Sequence, residues 1–254
     1  MTSSSSSSSS DSDYLPKLLW GKSAPDPLPV IENGIKYNVK LGVSFSTGLF
    51  LDQRPQRAWL SSHCTPRTKV LNCFAHCGGF SVAAAYAGAE TVSLDLDRKW
   101  LDRIPAQMEA NGVVMEEEVE DDDGTGKSRR RHDTIYGDCF DWLGRLSRRG
   151  ETYDVVILDP PSTSVGGKKK RRWSVRADMG ELVTLASPLV KSGGLLFTTT
   201  NSASITAEKF AASVRGGLIQ AGRGEAKLER ICPMPNDFPS VGCQPVKNLV
   251  WRMP

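Results

Sequence analysis

From Lys69 onward the chain switches repeatedly between strand-like and helix-like stretches, and that alternation restricts the fold more than any other feature. VLNCF (70–74) is a short apolar run of the buried-strand kind, and GFSVAAAYAG after it is an alanine-rich helix with Gly88 placed as its stop. TVSLDLD (91–97) is a second strand. RKWLDRIPAQMEANG then has a helical pattern weakened by Pro105, which lacks the N–H that a helix interior uses. DTIYGD (133–138), YDVVILD (153–159) and GGLLFTTT (193–200) read as three more strands, with helical stretches at 140–148, 176–190 and 206–221. Strands that are apolar on both faces and separated by helices make a parallel sheet covered on both sides. AKLERIC (226–232) and VKNLVWRM (246–253) have no helix between them, so they are expected to pair antiparallel at the sheet's edge.

The rest of the chain adds extras to this α/β core. A length of 254 residues suits one sizeable domain, and 39% hydrophobic with 24% charged residues is ordinary for a globular protein. Residues 1–27 open with a serine run and continue through proline-containing sequence, so a disordered lead-in is expected there, with one domain over 28–254. That stretch has neither the apolar core of a secretory signal nor the arginines of an organelle transit peptide. LPVIENGIKYNVKL places two alternating apolar stretches around Asn33-Gly34, a hairpin signal for residues 28–41. Nowhere are there 18 uninterrupted apolar residues, so a soluble intracellular protein without a membrane partner is expected, in cytoplasm or organelle.

Six cysteines, at 64, 73, 77, 139, 232 and 243, lack the close pairing of a zinc site or disulfide framework, so free thiols and no metal are expected. The net charge of +3 names no partner, and nothing sets an oligomeric state. Charge is nevertheless blocked. EEEVEDDD (116–123) and KSRRRH (127–132) read together as a solvated, charged loop insertion at 116–132, while KKKRR (168–172) follows a strand end.

Open α/β sheets bind ligands beyond the carboxyl ends of their strands. Here those ends carry Asn72-Cys73-Phe74 and the loop Ala75-His76-Cys77-Gly78-Gly79, then Asp95, Asp138, Asp159 and Thr200-Asn201-Ser202. The loop has an adjacent glycine pair but neither the third glycine of a dinucleotide fingerprint nor a P-loop lysine. Asp95 stands where an acid accepts hydrogen bonds from both ribose hydroxyls, and Asp138 where one meets an exocyclic amine of a purine. Ribose and adenine without phosphates, with an amino-acid tail at the glycine loop, describe S-adenosylmethionine. The plainer alternative is that Asp97 and Asp138 only cap the helices after them.

The motifs NGIKYNVKL, T47-G-L-F-L-D-Q-R54, V70-L-N-C-F-A-H-C-G-G-F-S-V-A-A-A85, G137-D-C-F-D-W-L143 and D159-P-P-S162 resemble the class I methyltransferases of the bacterial 23S ribosomal RNA (cytosine-5)-methyltransferase type. The likeness runs from about residue 28 to the C-terminus. It implies a Rossmann-like, mostly parallel seven-stranded sheet with S-adenosylmethionine as methyl donor and RNA, most naturally ribosomal RNA, as partner. By position it implies that Phe50, Asp52 and Arg54 help enclose the cofactor, together with Asn72. Phe74, Ala75 and Gly78 would line its methionine end, Asp95 its ribose and Asp138 its adenine side, with Asp159 facing the methyl group. Family members commonly carry an N-terminal RNA-binding domain.

In D159-P-P-S162, Pro160 and Pro161 hold an extended backbone that leaves Asp159 and carbonyls pointing into a substrate cleft. Ser162, Lys168, Lys169, Lys170, Arg171 and Arg172 are then candidates to grip RNA, with Trp173 as a stacking ring. One departure matters. Methylation at cytosine C5 needs a cysteine thiolate that adds to C6. The family carries it after the fifth strand, where this chain has Thr200-Asn201-Ser202-Ala203. Relatives that methylate a guanine nitrogen carry asparagine near this position, so transfer to a base nitrogen is favoured, with Asp159, Pro160, Pro161 and Asn201 as the catalytic set. An inactive RNA-binding or assembly protein that retains the pocket is the alternative.

Overall fold

A computed structural model of the chain describes residues 18–42, 46–120, 126–166, 171–238 and 245–254. β1 (Leu28–Glu32) and β2 (Ile35–Val39) form the antiparallel hairpin that Asn33-Gly34 signals. Asn33 and Gly34 take positive φ, at 53° and 80°, as a tight turn between twisted strands requires. The hairpin's inner face, Ile35, Tyr37 and Val39, is buried in a cluster with Val82, Ile104 and Met108. A helix not expected from the sequence, α1 (Arg54–His63), then leads to the main sheet.

From here the alternation unfolds as expected: β3 (Lys69–Cys73), α2 (Gly79–Tyr86), β4 (Glu90–Asp95), and then two short helices, α3 (Arg98–Leu101) and α4 (Ile104–Glu109). The break between them falls just before Pro105, which sits in the first turn of α4, where its missing N–H costs nothing. The charged insertion at 116–132 comes next. Its backbone forms an antiparallel pair, β5 (Glu116–Glu120) with β6 (Gly126–Arg130), which sets the acidic run in register against the basic one. At the open end of this hairpin, Glu116 and Arg130 face each other and form an ion pair at 3.0 Å. The calls at 121–125 lie outside the described residues.

The chain continues through β7 (His132–Tyr136), α5 (Cys139–Arg148), β8 (Tyr153–Leu158), a second small hairpin of β9 (Thr163–Gly166) with β10 (Arg171–Ser174), α6 (Val175–Ala186), β11 (Val190–Thr200), α7 (Ala207–Gln220), β12 (Lys227–Cys232) and β13 (Lys247–Arg252). The main sheet is Rossmann-like and seven-stranded, in the order β12-β13-β11-β8-β3-β4-β7, with β13 antiparallel to both of its neighbours and the other pairings parallel. Strand order reverses at β3, whose neighbours are β4 on one side and β8 on the other, and this is where such sheets open a ligand crevice. Leu71, Leu94, Leu143, Met179, Leu182, Phe210 and Trp251 form the largest core cluster, on which α5, α6 and α7 pack. No described helix is long and apolar enough to cross a membrane.

Candidate active site

At the switch point the carboxyl ends of β3, β4, β8 and β11 surround a cleft of about 570 Å3. Its lining comes from four short segments and Asn201. The segments are 48–57 with the start of α1, the loop 74–80, residues 95–100 after β4, and 159–164 after β8, while Asn201 follows β11.

The loop after β3 owes its shape to hydrogen bonds that override side-chain preference. Phe74 and His76 take φ of 59° and 51°, and Gly78 takes 79°. The first two are strained for L residues and persist because the surroundings fix them. Ala75 N donates to Leu94 O at 3.1 Å, Gly78 N to Ala75 O at 2.8 Å, and His76 N to Asp95 Oδ2 at 2.8 Å. Asp95 Oδ1 accepts from Asp97 N at 2.8 Å, so this carboxylate knits two loops while lining the cleft. Burial pushes the Asp95 carboxyl up, and the amides of Asp97 and His76 pull it back. His76 stacks on Trp100 at 3.7 Å between ring centres and meets Phe50 at 5.3 Å. Burial and the Arg103 charge hold its imidazole at about 4, neutral at physiological pH.

Asp159 directly follows β8 and is half-buried in the same cleft. Desolvation raises its carboxyl to about 7, the charge of Asp52 adds to the rise, and Arg57 opposes it. Arg57 is itself buried. Its Nε and Nη2 are each 2.7 Å from Glu32 on β1, which commits one edge of the guanidinium and ties the hairpin to the cleft wall. Its Nη1 lies on the side of Gly79, where α2 begins. Ser162 Oγ donates to Asn201 Oδ1 at 2.8 Å and joins the loops after β8 and β11.

Of the residues expected to bind cofactor, the cleft brings together Phe50, Asp52, Phe74, Ala75, Asp95 and Asp159. Pro160, Pro161, Ser162 and Asn201 line it too. Gly78 shapes the loop from beneath, since a Cβ there would meet Ile104 Cγ1 at 2.9 Å. Three of the expected residues are placed outside the lining. Arg54 lies outside the lining and makes a two-armed pair with Asp237, at 2.6 and 3.2 Å, which pins the segment after β12. Asn72 is buried inside the sheet, where its Nδ2 donates to Ser81 Oγ at 3.0 Å. Trp173 is buried against Phe74 and Phe140, and its Nε1 donates to Pro161 O at 2.7 Å. The indole therefore supports the Asp-Pro-Pro turn and takes up a carbonyl expected to face substrate.

Asp138 plays the capping part, accepting from Phe140 N at 2.9 Å, as Asp97 does from Lys99 N. It borders a small hollow beside the cleft, shared with Phe74, Leu96 and Phe140. Arg172 is exposed at the end of the β9–β10 hairpin, and Lys168, Lys169 and Lys170 lie outside the described residues. Sequence reasoning missed Gln53, Arg57 and Trp100 as lining residues. Gln53 and Arg57 flank the Arg54 of a recognised motif, and an arginine one helical turn beyond it was the available signal.

Cysteine is missing from the described residues that line the cleft. Cys73, Cys77 and Cys139 are buried beneath it, and the Cys77 thiol, hydrogen-bonded to Gly48 O, is raised to about 11 mainly by burial. Cys243 lies outside the described residues.

Comparison with known proteins gives a consistent picture. The family described as S-adenosylmethionine-dependent methyltransferase matches residues 17–244. Ribosomal RNA large subunit methyltransferase I of Shewanella amazonensis is 32% identical over 241 residues, covering 93% of this chain and 56% of that protein. The protein of the same name from Aeromonas salmonicida is 30% identical over 240 residues, covering 92% and 56%. The crystal structure of SMU.776 complexed with SAH superposes with a TM-score of 0.80 at 30% identity, covering 92% of this chain and 58% of that one. The chain thus spans a little over half the length of these relatives.

Proposed function

The chain belongs to the S-adenosylmethionine-dependent methyltransferase family, and from that premise we propose that it methylates a nitrogen of a base in RNA, with ribosomal RNA the substrate that its relatives' names point to. The observation that carries the reading is the meeting of Asp159, Pro160, Ser162 and Asn201 in one cleft with no cysteine among its described lining residues.

The residues present fit the donor. Asp95 offers a carboxylate at the end of β4 for paired ribose hydroxyls. The start of α2 and the Nη1 side of Arg57 offer positive potential for a carboxylate. Leu96, 42% exposed, offers an apolar face for a purine. When bound, S-adenosylmethionine supplies a methyl group already activated by a sulfonium, so the protein's task is chiefly placement. Asp159 and Asn201 would hold the amino edge of the target base so that a nitrogen lone pair points along the C–S bond. A base nitrogen that accepted the methyl group would become acidic, and the Asp159 carboxylate would take its proton. A carboxyl titrating near 7 is matched to that step.

Separate Asp159→Ala and Asn201→Ala substitutions test the assignment. Each is expected to lower transfer of labelled methyl to RNA by 100-fold or more, on the order of what a positioned acid–base group supplies, while SAH still binds. Loss of SAH binding in step with activity would assign both residues to the cofactor instead.

A further inference from the structure

Lys247 opens β13 directly across the ladder from Thr200, the last residue of β11. It is only 6% exposed, and its ammonium donates to two backbone carbonyls, Ser202 O at 2.7 Å and Pro245 O at 3.1 Å. Among the described residues it has no carboxylate partner. A buried ammonium held by neutral carbonyls alone is an expensive way to fill an interior position. Val246, Leu249 and Val250 beside it show that apolar residues suit this strand. What the ammonium adds is a fixed tie between two chain segments.

One of those segments presents Asn201. Ser202 N donates to Thr200 Oγ1 at 3.1 Å, and Ser202 Oγ bonds Ser204 Oγ at 2.8 Å. With its amide held by Thr200 and its carbonyl by Lys247, Ser202 fixes the backbone that follows Asn201. The remaining freedom of Asn201 is its side-chain torsions, and Ser162 Oγ sets those at 2.8 Å. Lys247 itself does not line the cleft.

We propose that Lys247 is a positioning residue that locks the turn after β11, so that Asn201 faces the target base. This rests on the methyl-transfer reading above, and it predicts an effect on turnover rather than on cofactor binding. A misplacement of about 1 Å at a reacting centre can cost 100-fold in rate. Lys247→Met should lower kcat with total RNA as acceptor by 10- to 100-fold, leaving KM for RNA and the dissociation constant for SAH within threefold. Because Lys247 acts through Asn201, adding Lys247→Met to an Asn201→Ala protein should cost no more than a further twofold. Turnover within twofold of the unmodified protein, or losses that multiply in the double variant, would overturn the proposal. If Lys247→Met does not fold, Lys247→Gln, whose shorter side chain ends in a neutral amide, takes its place. Loss of SAH binding by both variants assigns the lysine to overall stability and overturns the positioning role. Should the unmodified protein transfer no methyl group, the functional reading fails, and nuclear magnetic resonance then judges this inference alone. The Asn201 side-chain amide should be sharp in the unmodified protein and broadened in Lys247→Met, and identical spectra would refute the tie.

Discussion

Replacing Asp159 with asparagine should stabilise the fold while removing activity. Burial and the neighbouring Asp52 charge raise the Asp159 carboxyl from 3.8 to about 7. The folded state therefore keeps a proton that the unfolded chain releases above about pH 4. With the native value raised, stability is highest at low pH, falls as pH rises from about 4 to about 7, and stays reduced above that. At about 1.36 kcal/mol per pH unit, the ionised carboxylate costs at most about 4 kcal/mol at pH 8. The cleft is open to solvent and Arg57 partly offsets the charge, so about 1–2 kcal/mol is expected. Asparagine keeps the shape and loses the charge. Urea unfolding of both proteins at pH 5 and pH 8 would show the variant more stable at pH 8 by about that amount, and the gap narrowing at pH 5. An equal or less stable variant at pH 8, or a gap independent of pH, would refute the argument that Asp159 is held against its preferred charge state for function.

Three further outcomes follow from the geometry. Arg57→Met should weaken SAH binding by at least tenfold and leave 5′-methylthioadenosine, which lacks the amino-acid carboxylate, unchanged by calorimetry; equal loss for both ligands would mean that the arginine only supports the wall. Glu32→Ala strands the buried Arg57 charge, and chemical denaturation should record a loss of about 3–5 kcal/mol. The rate of RNA methylation should rise with pH through about 7 as Asp159 ionises, and a flat profile from pH 6 to 8 would remove it as proton acceptor.

The sheet was legible because each strand-helix repeat carries its own signals. Gly88 ends α2 with φ of 94°, Pro105 divides α3 from α4, and Asn33-Gly34 turns the first hairpin. Two kinds of feature escaped. α1 has Pro55 near its start and a largely polar sequence, so its helical character comes from burying Gln56, Arg57 and Leu60 rather than from a clear apolar stripe. Pairing between distant segments also hides in sequence, as with β5 against β6, where complementary charge becomes visible only once the register is known. The cleft shows the same division. Strand-end residues such as Asp95 and Asp159 were identifiable because topology alone places them. Trp173 stands beside a run of basic residues yet is drawn inward by Pro161 O and two phenylalanines, which local sequence does not reveal.

We propose nitrogen as the target atom. Incubation with S-adenosylmethionine labelled in its methyl group and total RNA, followed by digestion to nucleosides, addresses it directly. Label is expected in a nitrogen-methylated nucleoside, with a Cys243→Ser protein equally active. Label in 5-methylcytidine, lost on that substitution, would contradict it.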